Sequence, residues 1–144
     1  MVSPGHVRIA VNVKPGNEPL STEVAIATTL AEQLGIDVLL RGRNVPEGDA
    51  LLTLSTGQRV RAEFKTLHAS NARAFERNVR EASRQTGAFP GVVVIDASAV
   101  ETSVADAEVF IDRAIGLVAS RRPRLQTVIV ITQERIIQRT LERS

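Results

Sequence analysis

Val92-Val93-Val94-Ile95 is an unbroken run of β-branched apolar residues, and Thr127-Val128-Ile129-Val130-Ile131 repeats the pattern further along the chain. A strand with one face in water alternates apolar and polar side chains, so a strand without alternation needs cover on both faces, as in a parallel sheet flanked by helices. The cover is present in the sequence. Between the two runs, residues Val104 to Ala119 form a helical pattern. Earlier, Val24, Ala27, Leu30, Ala31 and Leu34 recur at helical spacing over Ser21 to Leu34, with Ser21 placed to cap the helix and Gly35 to end it. A further stripe of Ala72, Phe75, Val79 and Ala82 runs through residues 70–86 and is closed by Gly87 and Pro90. Residues 36–40 read as a short strand. Residues 51–54 and 58–66 read as a hairpin around Ser55-Thr56-Gly57. The order helix, strand, hairpin, helix, strand, helix, strand predicts an α/β chain with a mixed central sheet and helices on both faces.

The ends are less regular. Residues 6–14 alternate briefly before Pro15, Gly16 and Pro19, which reads as an irregular or weakly extended lead-in. The charged tail 133–144 is compatible with an edge strand or a helix. With 144 residues and no long Pro/Gly/Ser stretch, the expected organisation is a leading segment over 1–20 and one domain over 21–144.

Composition removes several chemistries. There is no Cys, which excludes disulfides, thiolate zinc sites and cysteine nucleophiles, so any metal would rest on carboxylates. No apolar run approaches a membrane span, and the first sixteen residues lack the blocks of a signal peptide. The formal net charge is only +2, so the placement of charge matters more than its sum. Lys14 and Lys65 are the sole lysines among 18 basic residues, and the other 16 are Arg, whose planar fork suits phosphate oxygens. Four Phe with no Trp or Tyr leave little scope for base stacking.

Glu63 and Lys65 lie two apart on a predicted strand and so project on one face. There a carboxylate can bind Mg²⁺ while the ammonium orients water or stabilises charge on a phosphate. Spacing alone favours the plainer reading, a solvated strand face with a weak ion pair. Asp49 begins the first hairpin strand. A three-residue connection over 56–58 would set it opposite Lys65 and on its face, whereas a two-residue connection would slip the register and turn it away. Its plain reading is a turn residue after Gly48. Glu23 sits on the inward stripe of the first helix, where a carboxylate needs a metal or a basic partner, or else serves the helix dipole from the first turn.

Taken together, Glu23, Asp49 after Pro46-Glu47-Gly48, and Arg61-Ala62-Glu63-Phe64-Lys65 resemble the PD-(D/E)XK nuclease pattern of helix glutamate, aspartate and E-x-K. The likeness continues through Ala82-Ser83-Arg84-Gln85, Gly91 to Asp96 and Thr127 to Ile131. It is similar to the C-terminal toxin nuclease domains of contact-dependent growth-inhibition proteins, many of which cleave tRNA. The resemblance implies a restriction-endonuclease-like core. It implies that Glu23, Asp49 and Glu63 help hold a divalent metal, Mg²⁺ or else Mn²⁺ or Zn²⁺, that Lys65 is the catalytic lysine, and that Gln85 reaches the same site. It further implies a nucleic-acid substrate, tRNA ahead of DNA, a cognate immunity protein as partner, and action in the cytoplasm of a target cell. The family proline stands three residues before Asp49, which makes Glu47 the substitute ligand.

Arg73, Arg77, Arg80 and Arg84 form a second stripe opposite Phe75 and Val79 that can follow a phosphate backbone, but because the row points away from the core a solvent-facing helix surface is the favoured reading. Arg121, Arg122 and Arg124 around Pro123 are open to the same two readings. His68 reads as a proton-transfer group or as surface decoration. The rival to an enzyme is a non-catalytic binding module that keeps the fold and uses its arginines to hold a partner.

Overall fold

A computed structural model describes residues 4–42, 49–85, 91–119 and 125–140, apart from the side chains of 83–85, 117–119 and 125. The chain is α/β, with parallel and antiparallel strand pairs, and the described residues hold seven strands and three helices. Its packing divides it into two compact units, Met1–Phe64 and Lys65–Ser144. No helix among the described residues is long and apolar enough to cross a membrane.

The first unit contains β1 (Val7–Ile9), α1 (Ser21–Leu34), β2 (Asp37–Leu40), β3 (Ala50–Thr53) and most of β4 (Arg59–Thr66). The lead-in thus includes a true strand, since β1 runs parallel to β2 with Val7 beside Val38. The N–H of Gly5 also donates to Ala31 O in α1 at 2.8 Å. α1 matches its sequence bounds, but its cap is Leu20 and Ser21 is its first residue. The Glu23 carboxylate, one turn in, accepts the Leu20 N–H at 2.7 Å and takes the capping role expected of Ser21. The buried stripe is Ile26, Ala27, Leu30 and Ala31, while Val24 is 38 % exposed and lies off it.

β2, β3 and β4 are antiparallel, and their register lines up Val38, Leu52 and Val60, then Leu40, Ala50 and Ala62, all buried. The hairpin loop has three residues, 55–57. Leu54 N–H donates to Gln58 O and Gly57 N–H to Leu54 O, both at 2.9 Å. Gly57 has φ 88°, the left-handed position that such a loop reserves for glycine. The loop therefore closes one residue earlier than the connection that would set Asp49 opposite Lys65. With Ala50 paired to Ala62, Asp49 falls level with Glu63 instead.

The second unit holds α2 (Ala72–Gln85), β5 (Gly91–Asp96), α3 (Val104–Ala119), β6 (Leu125–Ile131) and β7 (Ile136–Thr140). β5 and β6 are parallel, as their unbroken apolar runs require, and the pairing steps over Gln126 between Gly91–Leu125 and Val92–Thr127. The charged tail supplies β7, antiparallel to β6, with Ile137 buried. α2 is capped by Asn71, whose Oδ1 accepts the Ala74 N–H at 2.8 Å. Phe75, Val79 and Ala82 share one core with Ile111, Val93 and Ile95. Phe75 and Phe110 meet with ring centroids 6.0 Å apart.

Candidate functional site

β4 contradicts the solvated-face reading. Glu63 is 8 % exposed, close to its apolar neighbours Val60 and Phe64, and Arg61 and Lys65 are partly buried. Withdrawing a carboxylate from water costs several kcal/mol unless other groups replace the lost hydration. Neither Glu63 nor Arg61 is without a partner in the fold.

Asp49 is placed by its own polar groups. Its N–H donates to Ala62 O at 3.1 Å, its C=O accepts the Arg41 N–H at 3.0 Å, and its Oδ2 accepts the Phe64 N–H at 2.8 Å. It is thus bonded to the residue before Glu63 and to the residue after it. The carboxylate is thereby tied to the β4 backbone beside Glu63. This is a more specific role than that of a turn residue. A charge-assisted bond of this kind contributes about 1.5–3 kcal/mol.

The other predicted residues divide. Glu23 is buried, 8 % exposed, as its place on the inward stripe implied, yet one of its oxygens is committed to the helix N-terminus at Leu20. In the second unit, Lys65 Nζ lies 3.8 Å from Glu81 Oε2 of α2, with the lysine side chain 18 % exposed and the glutamate 43 %. An ion pair that long and that open to water adds little stability. Gln85 belongs to α2, and its side chain lies outside the described residues, as do Glu47, the side chain of Arg84, and Arg121, Arg122 and Arg124. His68 is exposed. Glu81 was not anticipated from the sequence. The signal was present, because Glu81 adjoins Ala82 at the border of the apolar stripe of α2, where a side chain can reach back to the neighbouring strand.

Among the described residues, no three His, Cys, Asp or Glu side chains stand together as a ligand set for a metal ion. That excludes a closed cage within those residues. It does not exclude Mg²⁺, which keeps several waters and is commonly held by one or two carboxylates together with substrate phosphates. Asp49, just before β3, and Glu63 on β4 are hard oxygen donors of the kind that smaller demand takes. Comparison with protein-family models, with curated proteins and with solved structures found no match.

Proposed function

We propose that this protein is a metal-dependent endonuclease of the PD-(D/E)XK kind, hydrolysing phosphodiester bonds of RNA. Following the resemblance, the substrate is tRNA and the protein is a bacterial toxin domain, acting in the cytoplasm of a target cell and blocked by a cognate immunity protein. The observation that carries the reading is Glu63, a carboxylate held 8 % exposed in mid-strand and flanked by the two hydrogen bonds of Asp49 to Ala62 and Phe64. A carboxylate there weakens a strand that Val or Ile would stabilise, so function is the simplest explanation for its presence.

In this reading Asp49 and Glu63 hold the divalent ion, Mg²⁺ first, with Mn²⁺ and Zn²⁺ as the other candidates. When bound, the ion supplies Lewis acidity toward a phosphoryl oxygen and lowers the pKa of water. Asp49 needs no reorganisation to serve, because the Phe64 N–H already fixes its carboxylate. Lys65, two residues beyond Glu63 on the same strand, brings an ammonium to counter charge developing on the phosphate. Its loose contact with Glu81 leaves it able to turn to a substrate. Glu23 holds the start of α1 and acts on the site through position.

A second reading, a non-catalytic module with the same fold, is favoured by two facts: the described residues contain no three-ligand set, and Glu23 is used as a cap. One assay separates the two. Wild-type protein, Glu63→Gln and Lys65→Ala are incubated with total tRNA and with plasmid DNA, in Mg²⁺, Mn²⁺, Zn²⁺ or EDTA. Cleavage that needs the metal and both side chains is expected, with the cleaved polymer identifying the substrate. Folded wild-type protein that cleaves neither polymer in any metal would leave the binding module.

A further inference from the structure

We propose that the outer face of α2, carrying Arg73, Arg77 and Arg80, is the surface that grips the phosphate backbone of a nucleic-acid substrate. The inference deepens the endonuclease reading and rests on it. All three arginines are exposed, and none has an ion pair among the described residues. The helix does have acids that could have neutralised them. Glu76 and Glu81 flank the row on either side, one turn or less away, yet both are taken by cations from outside the helix. Glu76 Oε1 lies 2.7 Å from Arg113 Nε of α3, and Glu81 Oε2 lies 3.8 Å from Lys65 Nζ. The first contact is ionic, its angle being too poor for a hydrogen bond. The result is a helix whose carboxylates are engaged within its own unit and whose arginines face water with their charge unopposed.

The geometry suits a polyanion. Positions 73, 77 and 80 fall within one narrow stripe opposite the buried Phe75, Val79 and Ala82, and Arg84 continues the spacing in sequence. At 1.5 Å per residue the row from Arg73 to Arg80 spans roughly 10 Å, about three base steps of a strand. Guanidinium groups bind phosphate in bidentate fashion, and a row without aromatic side chains reads the backbone and not the bases. The same helix reaches Lys65 through Glu81, so a strand lying on the row is led toward the lysine that the proposed chemistry uses.

The test measures binding without cleavage. Fluorescence anisotropy of a labelled tRNA pool and of labelled duplex DNA is followed in EDTA across a range of KCl. The proteins are wild type, R73Q/R77Q/R80Q, and a charge-matched control, R8Q/K14Q/R59Q, whose residues are also exposed. Thermal unfolding confirms that the variants remain folded. The slope of log affinity against log salt should shrink by about two to three in the row variant, roughly one for each phosphate no longer neutralised, while the control follows the wild type. The proposal is overturned by a row variant that binds like wild type, by an equally weakened control, or by wild-type protein that binds neither probe at low salt. Hydrolysis of bis(p-nitrophenyl) phosphate in Mg²⁺ or Mn²⁺ tests the chemistry separately, since so small a diester needs no row. Row-dependent binding without that hydrolysis would remove the endonuclease and keep the grip.

Discussion

β4 and β5 are both buried at mid-strand, at Ala62 to Phe64 and at Gly91 to Ile95, yet their sequences are opposites. In β5, Val92, Val93, Val94 and Ile95 are each 5 % exposed or less, and burial adds cohesion at about 25 cal/mol per Å² of apolar surface. In β4, Val60, Ala62 and Phe64 alternate with Arg61, Glu63 and Lys65, and the central charged residue is buried along with the apolar ones. One strand uses its environment for stability. The other surrenders some stability to keep charge in a place of low dielectric, where, in the proposed reading, it acts strongly on an ion or phosphate. Burial by itself therefore does not distinguish the two strands; the kind of side chain buried does.

Substitutions on the two strands can break or sharpen that contrast. The largest effect is expected at Ile95→Ala, which should lower unfolding free energy by about 2–5 kcal/mol in urea titrations. A decrease well under 1 kcal/mol would show that β5 is not the core strand it resembles. Next, Glu63→Gln should reduce metal-dependent cleavage roughly 100-fold or more. Ile95→Val, although destabilised by about 0.5–1.5 kcal/mol, should cleave at the wild-type rate where both are folded. Equal reductions in activity in the two would erase the distinction.

Asp49 combines both kinds of role, and two variants separate them. Asp49→Ala leaves the Phe64 N–H without its acceptor and should cost about 1–3 kcal/mol in chemical denaturation. Asp49→Asn retains a carbonyl acceptor, so it should recover most of that stability without recovering cleavage. A smaller change is expected at the hairpin that sets the level of Asp49. Gly57→Ala places a Cβ at φ 88° and should cost about 1–2 kcal/mol, read as a lower melting temperature. The smallest is Glu81→Gln, whose long and partly solvated contact with Lys65 should be worth under about 0.5 kcal/mol, less still at high salt. A large destabilisation there would mean that Lys65 is held as firmly as a core residue and is not poised for a ligand.

Periodicity places the three helices and the strands from β2 to β6, while β1 fell in a segment read as irregular and β7 in a tail left open between strand and helix. The unbroken runs at 92–95 and 127–131 announced β5 and β6, the 3.6-residue stripes announced α1, α2 and α3, and Ser55-Thr56-Gly57 announced the hairpin. These signals are local, because each element must present its apolar side chains to one side or to both. The pairing of Glu63 with Lys65 on one strand was legible for the same reason, as was the inward turn of Glu23. The α1 cap was misassigned because Ser21 and Leu20 differ by one residue, and a long glutamate side chain from the next turn reached the N–H that decides the matter.

What the tertiary structure alone decided concerns groups far apart in the chain. Which residue Asp49 faces depended on where a three-residue loop closes, and a change of one position moves its partner from Lys65 to Glu63. Lys65 and Glu81, sixteen residues apart, meet only because the chain turns back on itself between them. A sequence determines which way each side chain points along its own helix or strand. What that side chain meets is set by packing between elements, whose registers differ by a few kcal/mol that no single segment contains.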